Sequence, residues 1–485
     1  QASYTLDEEP RCVSLVANAV SDSDDEHNLE EEGEETEPFD LCSVCGKLTR
    51  AGTKHTCDHS ANMFLRVQRV ELREGKTTLT KCPACETVSP TGILRQFFVG
   101  QEAVTSVLGT ALFESLPSYT AEHILRDTKS QEDDFDDFDD EPIEETVKKD
   151  IGAKQFIAFS DNRQAAAFYA SYLSQTYSGI VNKRLILETL KRPVYPSVGK
   201  SMDDFVEDLI GEFEKHHMAD RANSRKEAWK AALHELIDNN GNTSLYKLGL
   251  ISFDISDKTI RGSKKYEINR EEMHEICALF ADWMMSEGAI DYPEVMNYEE
   301  KCTFAPNGIE HSYTLSDSDA KKHTLSFLPS RQGYQNKRTD YLTRVLKAKN
   351  TFLSEESTLQ FAEGLWNKIL TAPDGILQNQ SGTYKLKSKE ITIRHATPMY
   401  RCPKCHRVTP HNVAGICPTY RCLGVLDDFD PKTMLKDDHY YNLYQQNEIR
   451  PLRVVEHTAQ LNRETAYEYQ KQFKQKQIDI LSCST

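Results

Sequence analysis

A chain of 485 residues with 38% hydrophobic and 28% charged side chains is long enough for two to four domains with real cores, and it contains no run of about eighteen apolar residues that would span a membrane. Its net charge of −18 argues against a polyanion binder only until it is localised: residues 22–37 and 131–145 each carry ten acidic side chains and no Lys or Arg, and outside them 58 basic residues face 56 acidic ones. Thirteen cysteines, many in Cys-x-x-Cys pairs and without a visible secretory leader, exclude a small secreted disulfide scaffold and predict metal binding in a cytoplasmic, reducing setting.

In chain order, residues 1–40 read as an acidic linker that repels itself and stays solvated. Asp7-Glu8-Glu9-Pro10 has no apolar strand before it, so it is not a magnesium-holding box, and the same holds for the Asp-Asp-Glu-Pro at 139–142. Residues 41–90 form a first zinc-binding module. Cys42 and Cys45, with Gly46 permitting a tight turn, and Cys82 and Cys85 supply four thiolates for a closed tetrahedral site. Cys57, His55 or His59 could replace one ligand. Residues 91–126 read as a helical connector in which Val104, Val107, Leu108, Ala111 and Leu112 share a stripe, and 127–150 as a second acidic linker.

Residues 151–178 hold the stretch on which the rest turns. Gln155 to Ser160 suits a buried parallel strand, Asp161-Asn162 a capping turn, and Arg163 to Tyr177 a helix. Polar groups at the carboxyl end of such a strand commonly face a ligand, and a helix N-terminus favours phosphate. A β-α unit without any ligand fits this stretch equally.

Residues 179–398 are too long for a crossover loop and read as a mainly helical insertion. Its stripes are Phe205, Leu209 and Phe213; Trp229, Leu233 and Leu236; Met273, Ile276, Cys277, Phe280 and Met284; and Phe361, Leu365 and Ile369. Residues 244–253 suggest a short helix turning into a strand, and 384–393 a β-hairpin arm. Residues 330–338 mix bases with an aromatic ring, a composition able to contact phosphates and stack on bases, although a solvated loop accounts for it better. Cys277 and Cys302, with no partner at metal-ligand spacing, read as ordinary buried thiols. Within 399–427, Cys402, Cys405, Cys417 and Cys422 have zinc-ribbon spacing, with His406 and His411 as bystanders. Four protein ligands leave no open position, so this zinc is structural. In 428–485, Arg453 to Leu461 reads as a strand and polar turn, Asn462 as the cap of a helix with Ala466, Tyr469, Gln470 and Phe473 on one face, and Ile478 to Thr485 as a third strand.

This order of pieces resembles the second RecA-like domain of a superfamily 2 helicase. Phe159-Ser-Asp-Asn-Arg-Gln164 looks like the family's fourth motif, and Glu456-His-Thr-Ala-Gln-Leu461, Gln472-Phe473-Lys474 and Ile480-Leu-Ser-Cys-Ser-Thr485 look like the run into the fifth. The wording is most similar to large bacterial DEAD/DEAH-like helicases with cysteine-rich insertions, some of them from phage-defence and DNA-repair systems. The resemblance implies an α/β fold, a partial RecA-like parallel sheet interrupted by the helical insertion and joined by two small zinc modules. It implies an ATP-dependent helicase whose nucleic-acid contacts, with DNA as the expected partner, come from Ser160, Asp161, Asn162, Arg163, Gln164, His457, Thr458, Gln460, Ser484 and Thr485. Further implied partners are a first RecA-like domain and defence- or repair-system subunits.

No Gly-x-x-x-x-Gly-Lys-[Ser/Thr] loop, acidic magnesium motif or arginine-rich sixth motif occurs in the chain, and the fifth motif is cut at Thr485. With Gln1 at one end and a strand at the other, the chain reads as an internal piece of a larger protein, in which ATP and Mg2+ would be held elsewhere. The competing reading is a zinc-stabilised nucleic-acid-binding or scaffold module without motor activity.

Overall fold

The computed structural model describes residues 14–16, 36–42, 44–54, 57–58, 64–70, 107–120, 152–219, 222–238, 243–305, 308–316, 323–329, 335–352, 354–395, 398–445 and 449–484. Near the start, β1 (Ser14–Val16), β2 (Thr36–Cys42), β3 (Leu48–Arg50) and β4 (Phe64–Val70) form an antiparallel sheet in the order β1-β4-β2-β3. The expected linker over 1–40 is therefore interrupted by two strands. Asp40, read as part of that linker, sits directly across from Arg66 in the ladder, and the two form an ion pair of 2.6 Å. The second linker, 127–150, lies outside the described residues.

The connector contributes α1 (Gly109–Ser115). The stripe expected to pack does not: Val107, Leu108, Ala111 and Leu112 are exposed, while Gly109, Thr110 and Phe113 are buried. Two contacts set this rotation. Phe113 meets Tyr177 edge-on at 5.5 Å, and Glu114 pairs with the buried guanidinium of Arg184. Val104 lies outside the described residues.

β5 (Phe156–Ser160) is followed by α2 (Arg163–Leu190), a 28-residue helix capped by the Asn162 side chain, which accepts from the Ala165 N–H at 2.7 Å. The helix does not stop near Tyr177. Ile180, Val181, Leu185, Ile186 and Leu190 prolong its apolar face into the insertion, so no boundary falls at 178. The insertion packs α3 (Met202–Lys215) and α4 (Ser224–Ile237) against that face, α5 (Arg270–Ser286) packs against α4, and α6 (Lys337–Ala348) and α7 (Glu355–Leu365) follow. The expected stripes on α3, α4, α5 and α7 are buried as read, with Ile369 continuing the last one just beyond α7.

Other local expectations change. Residues 243–250 are turns rather than a helix, leading into the strand Ile251–Ile255. Thr383–Leu386 pairs with Leu377–Gln380, while Ile391–His395 pairs with Ile251–Ile255, so the two strands of 384–393 are not each other's partners. The described part of the basic segment is structural. Asn336 caps α6, and Arg338 is buried between Tyr313 and Phe327, donating to the Phe327 carbonyl at 2.9 Å.

At the far end, β6 (Val454–His457), α8 (Arg463–Lys474) and β7 (Ile480–Ser484) complete a three-stranded parallel sheet in which β7 lies between β6 and β5. Side chains alternate across β7. Ile480 joins the large core on the α2 side and Ser482 donates to the Ala166 carbonyl at 2.8 Å, while Leu481 and Cys483 pack with Tyr469 and Phe473 of α8. A single core runs from Phe113 through the insertion to Ile480. The architecture is mixed α/β with small sheets, and among the described residues no helix is long and apolar enough to cross a membrane.

Candidate metal centres and a strand-end concavity

The ribbon cysteines converge. Cys402, Cys405, Cys417 and Cys422 place their sulfurs within 4.8 Å of one another, with Cys402–Cys422 at 3.8 Å and Cys405–Cys417 at 3.5 Å. A tetrahedral zinc with bonds of about 2.3 Å holds its sulfurs about 3.8 Å apart, so the group fits the ion. The first knuckle is a turn in which the Cys402 N–H reaches the Arg407 carbonyl at 2.9 Å and the His406 N–H returns to the Cys402 carbonyl at 2.8 Å. Gly424 leaves the space the sulfurs need: a methyl group there would lie 2.3 Å from Cys402 Sγ. The hydrogen bond from Cys417 holds the Cys405 thiol down to about 4, and the same contact drives Cys417 up. Four sulfurs this close cannot all carry charge unless a cation compensates them.

A second group joins Cys42, Cys45 and Cys57. Burial raises Cys42, but the backbone of Cys45 and Val44 and the Cys45 and Cys57 thiols outweigh it and bring the thiol to about 6. Cys57, an alternative on sequence grounds, is thus brought to Cys42 and Cys45, while Cys82, Cys85, His55 and His59 lie outside the described residues. Both cysteine groups could hold zinc.

The carboxyl ends of the parallel strands meet in an open concavity of about 410 Å³ lined by Asp161, Asn162, Arg163, Gln164, Gln460 and Ser484. Ser160 pairs in register with Ser484 beside it. Asn162 is committed to capping α2, whose first residues, Arg163 and Gln164, line the space. Arg163 is exposed, and among the described residues it makes no ion pair with Asp161, the structural alternative for that side chain. Thr458 is buried and donates to Glu456 Oε1 at 2.6 Å, and His457 Nε2 lies 3.1 Å from Gln470 Nε2, so neither lines the concavity. Thr485 lies outside the described residues.

Two features escaped the sequence. His411, read as a bystander, is not a metal ligand but the centre of a buried charge cluster. Its Nδ1 lies 2.8 Å from Glu275 and its Nε2 3.2 Å from Asp282, which also accepts from the Tyr246 hydroxyl. Burial alone would lower His411, but Asp282 and Glu275 raise it to about 10. Arg344 of α6 reaches into the ribbon. No local spacing announces either contact, because the partners lie more than 70 residues apart in the chain.

No family model, curated protein or solved structure matches this chain.

Proposed function

We propose that this chain supplies the strand-gripping half of an ATP-dependent nucleic-acid helicase or translocase of the DEAD/DEAH-like kind. The observation that supports this reading is the convergence of Asp161 to Gln164, Gln460 and Ser484 on one concavity at the carboxyl ends of adjacent parallel strands. In that role the backbone amides at the start of α2, with the Ser160 and Ser484 hydroxyls, hold phosphates of one strand, and the exposed Arg163 adds a positive charge. Contacts of this kind are independent of base sequence and weaken with salt. DNA is the proposed substrate, and the zinc groups brace the surrounding fold.

In this reading ATP and Mg2+ are held by a first RecA-like domain, since the sequence carries no Gly-x-x-x-x-Gly-Lys-[Ser/Thr] motif. The proposed setting is a defence or repair assembly, which follows from the resemblance, in the reducing cytoplasm that the Cys-x-x-Cys pairs favour.

The test is fluorescence anisotropy of a labelled single-stranded oligonucleotide with the chain and with its Arg163→Ala, Gln164→Ala double variant over a range of salt. Loss of one phosphate contact flattens the log–log salt dependence by about 0.7 and weakens binding uniformly across sequences. In the complete protein the same variant loses nucleic-acid-stimulated ATPase. Unchanged binding and ATPase would favour a zinc-stabilised scaffold instead. The isolated chain is expected to show neither ATP hydrolysis nor unwinding, and measurable turnover would overturn that division of labour.

A further inference from the structure

The two halves of the ribbon's sulfur cage are held in different ways. The Cys402–Cys405 knuckle closes on its own backbone. The Cys417–Cys422 half spans four intervening residues and closes on a helix of the insertion. Arg344 Nη1 donates to the carbonyls of Cys417 at 2.7 Å and Cys422 at 2.8 Å, and Nη2 donates to the Thr419 carbonyl at 3.0 Å. The guanidinium is fixed in turn by Asp340 Oδ2 at 2.7 Å from Nη2, and the same oxygen accepts the Arg421 N–H at 3.0 Å. Tyr420 adds a bond from its hydroxyl to the Gln335 carbonyl at 3.0 Å. Both members of the pair are largely buried, with side-chain exposures of 12% and 8%.

Three carbonyls and one amide of a single turn, two of those carbonyls belonging to metal ligands, therefore converge on one ion pair carried by another element. A free turn of this length would give those groups to water and sample many shapes, and ordering it would weaken metal binding. The planar guanidinium meets three acceptors at once, which a lysine ammonium on its flexible stem cannot reproduce in the same geometry.

We infer that Asp340 and Arg344 are positioning residues for the ribbon's metal, preforming the Cys417–Cys422 half-site so that zinc retention depends on α6. This rests on the reading of the four cysteines as a zinc site and is independent of the helicase reading. It also means that the ribbon is not an autonomous module: part of its metal affinity is written in the insertion.

The experiment follows zinc release from the full zinc-loaded chain to a chromogenic chelator, with Co2+ substitution reporting the geometry of the sulfur cage. Arg344→Ala is expected to lower zinc affinity at the ribbon roughly 10- to 100-fold and to broaden the Co2+ ligand-field bands, with Arg344→Lys in between. Zinc at the Cys42 group provides the internal reference. Leu346→Ala, which removes a fully buried side chain from the same helix, controls for general loosening and is expected to lower the unfolding midpoint while leaving ribbon zinc in place. Wild-type release from Arg344→Ala, or equal acceleration by Leu346→Ala, would overturn the inference. Zinc content untouched by Cys402→Ser would instead overturn the zinc reading on which it stands.

Discussion

The two cysteine groups share a knuckle and differ in what lies beneath it. In each, the N–H of the first cysteine reaches the carbonyl five residues on, Lys47 or Arg407, and the residue after the second cysteine turns back with positive φ, 71° at Gly46 and 59° at His406. The ribbon then rests on the largest core of the molecule through Arg344 and the His411 cluster. The Cys42 group sits on a thin antiparallel sheet, where Val67 is the one buried hydrophobic besides Cys42 among the described residues. The same metal chemistry should therefore carry the fold at one site and reinforce an already supported fold at the other.

Removing zinc tests this most severely. With a strong chelator at neutral pH, amide-exchange protection should vanish from β2, β3 and β4 and persist in α5, since binding worth about 10 kcal/mol is folding free energy only where little else holds the chain. Equal protection loss in both regions would break the comparison. The next effect belongs to the ribbon's anchor. His411→Ala leaves Asp282 and Glu275 without their cation, a change expected to cost about 3–5 kcal/mol in urea unfolding near pH 6. The native pKa of His411, about 10, lies above the unfolded value of about 6.5. Its stabilisation is thus fully present below about pH 6.5 and declines as pH rises through about 10. Between those limits the wild type should lose stability that the variant never had, and parallel pH profiles would show that the cluster does not hold the ribbon. The smallest effect is Gly424→Ala. Its methyl group must displace the Cys402 sulfur, so the ribbon should lose about 1–3 kcal/mol of zinc binding while Cys42, Cys45 and Cys57 keep theirs.

Local chemistry was legible in the sequence, and long-range contact was not. Asn162 and Asn462 could be read as caps because an Asx side chain before a helix satisfies its first N–H groups, and both do so at 2.7 Å. The ribbon spacing gave its four sulfurs, and Gly46 its turn. The rotation of α1 was invisible because Phe113 and Glu114 find Tyr177 and Arg184, residues that a stripe within 104–112 does not contain. His457 and Thr458 were placed at a strand end from local order, but the bonds of Thr458 to Glu456 and of His457 to Gln470 turn them away from the concavity. Asp40 looked like linker charge until Arg66 faced it across a strand.

α2 has a practical consequence for anyone who would dissect this protein. Its first turn borders the concavity, and about 30 Å along its axis it is clamped by Lys183 to Glu235 and by Arg184 to the Leu443 carbonyl. What looks in linear order like an excisable insert is the bearing in which that helix is seated. Cutting it out would strip the second half of the helix of its packing.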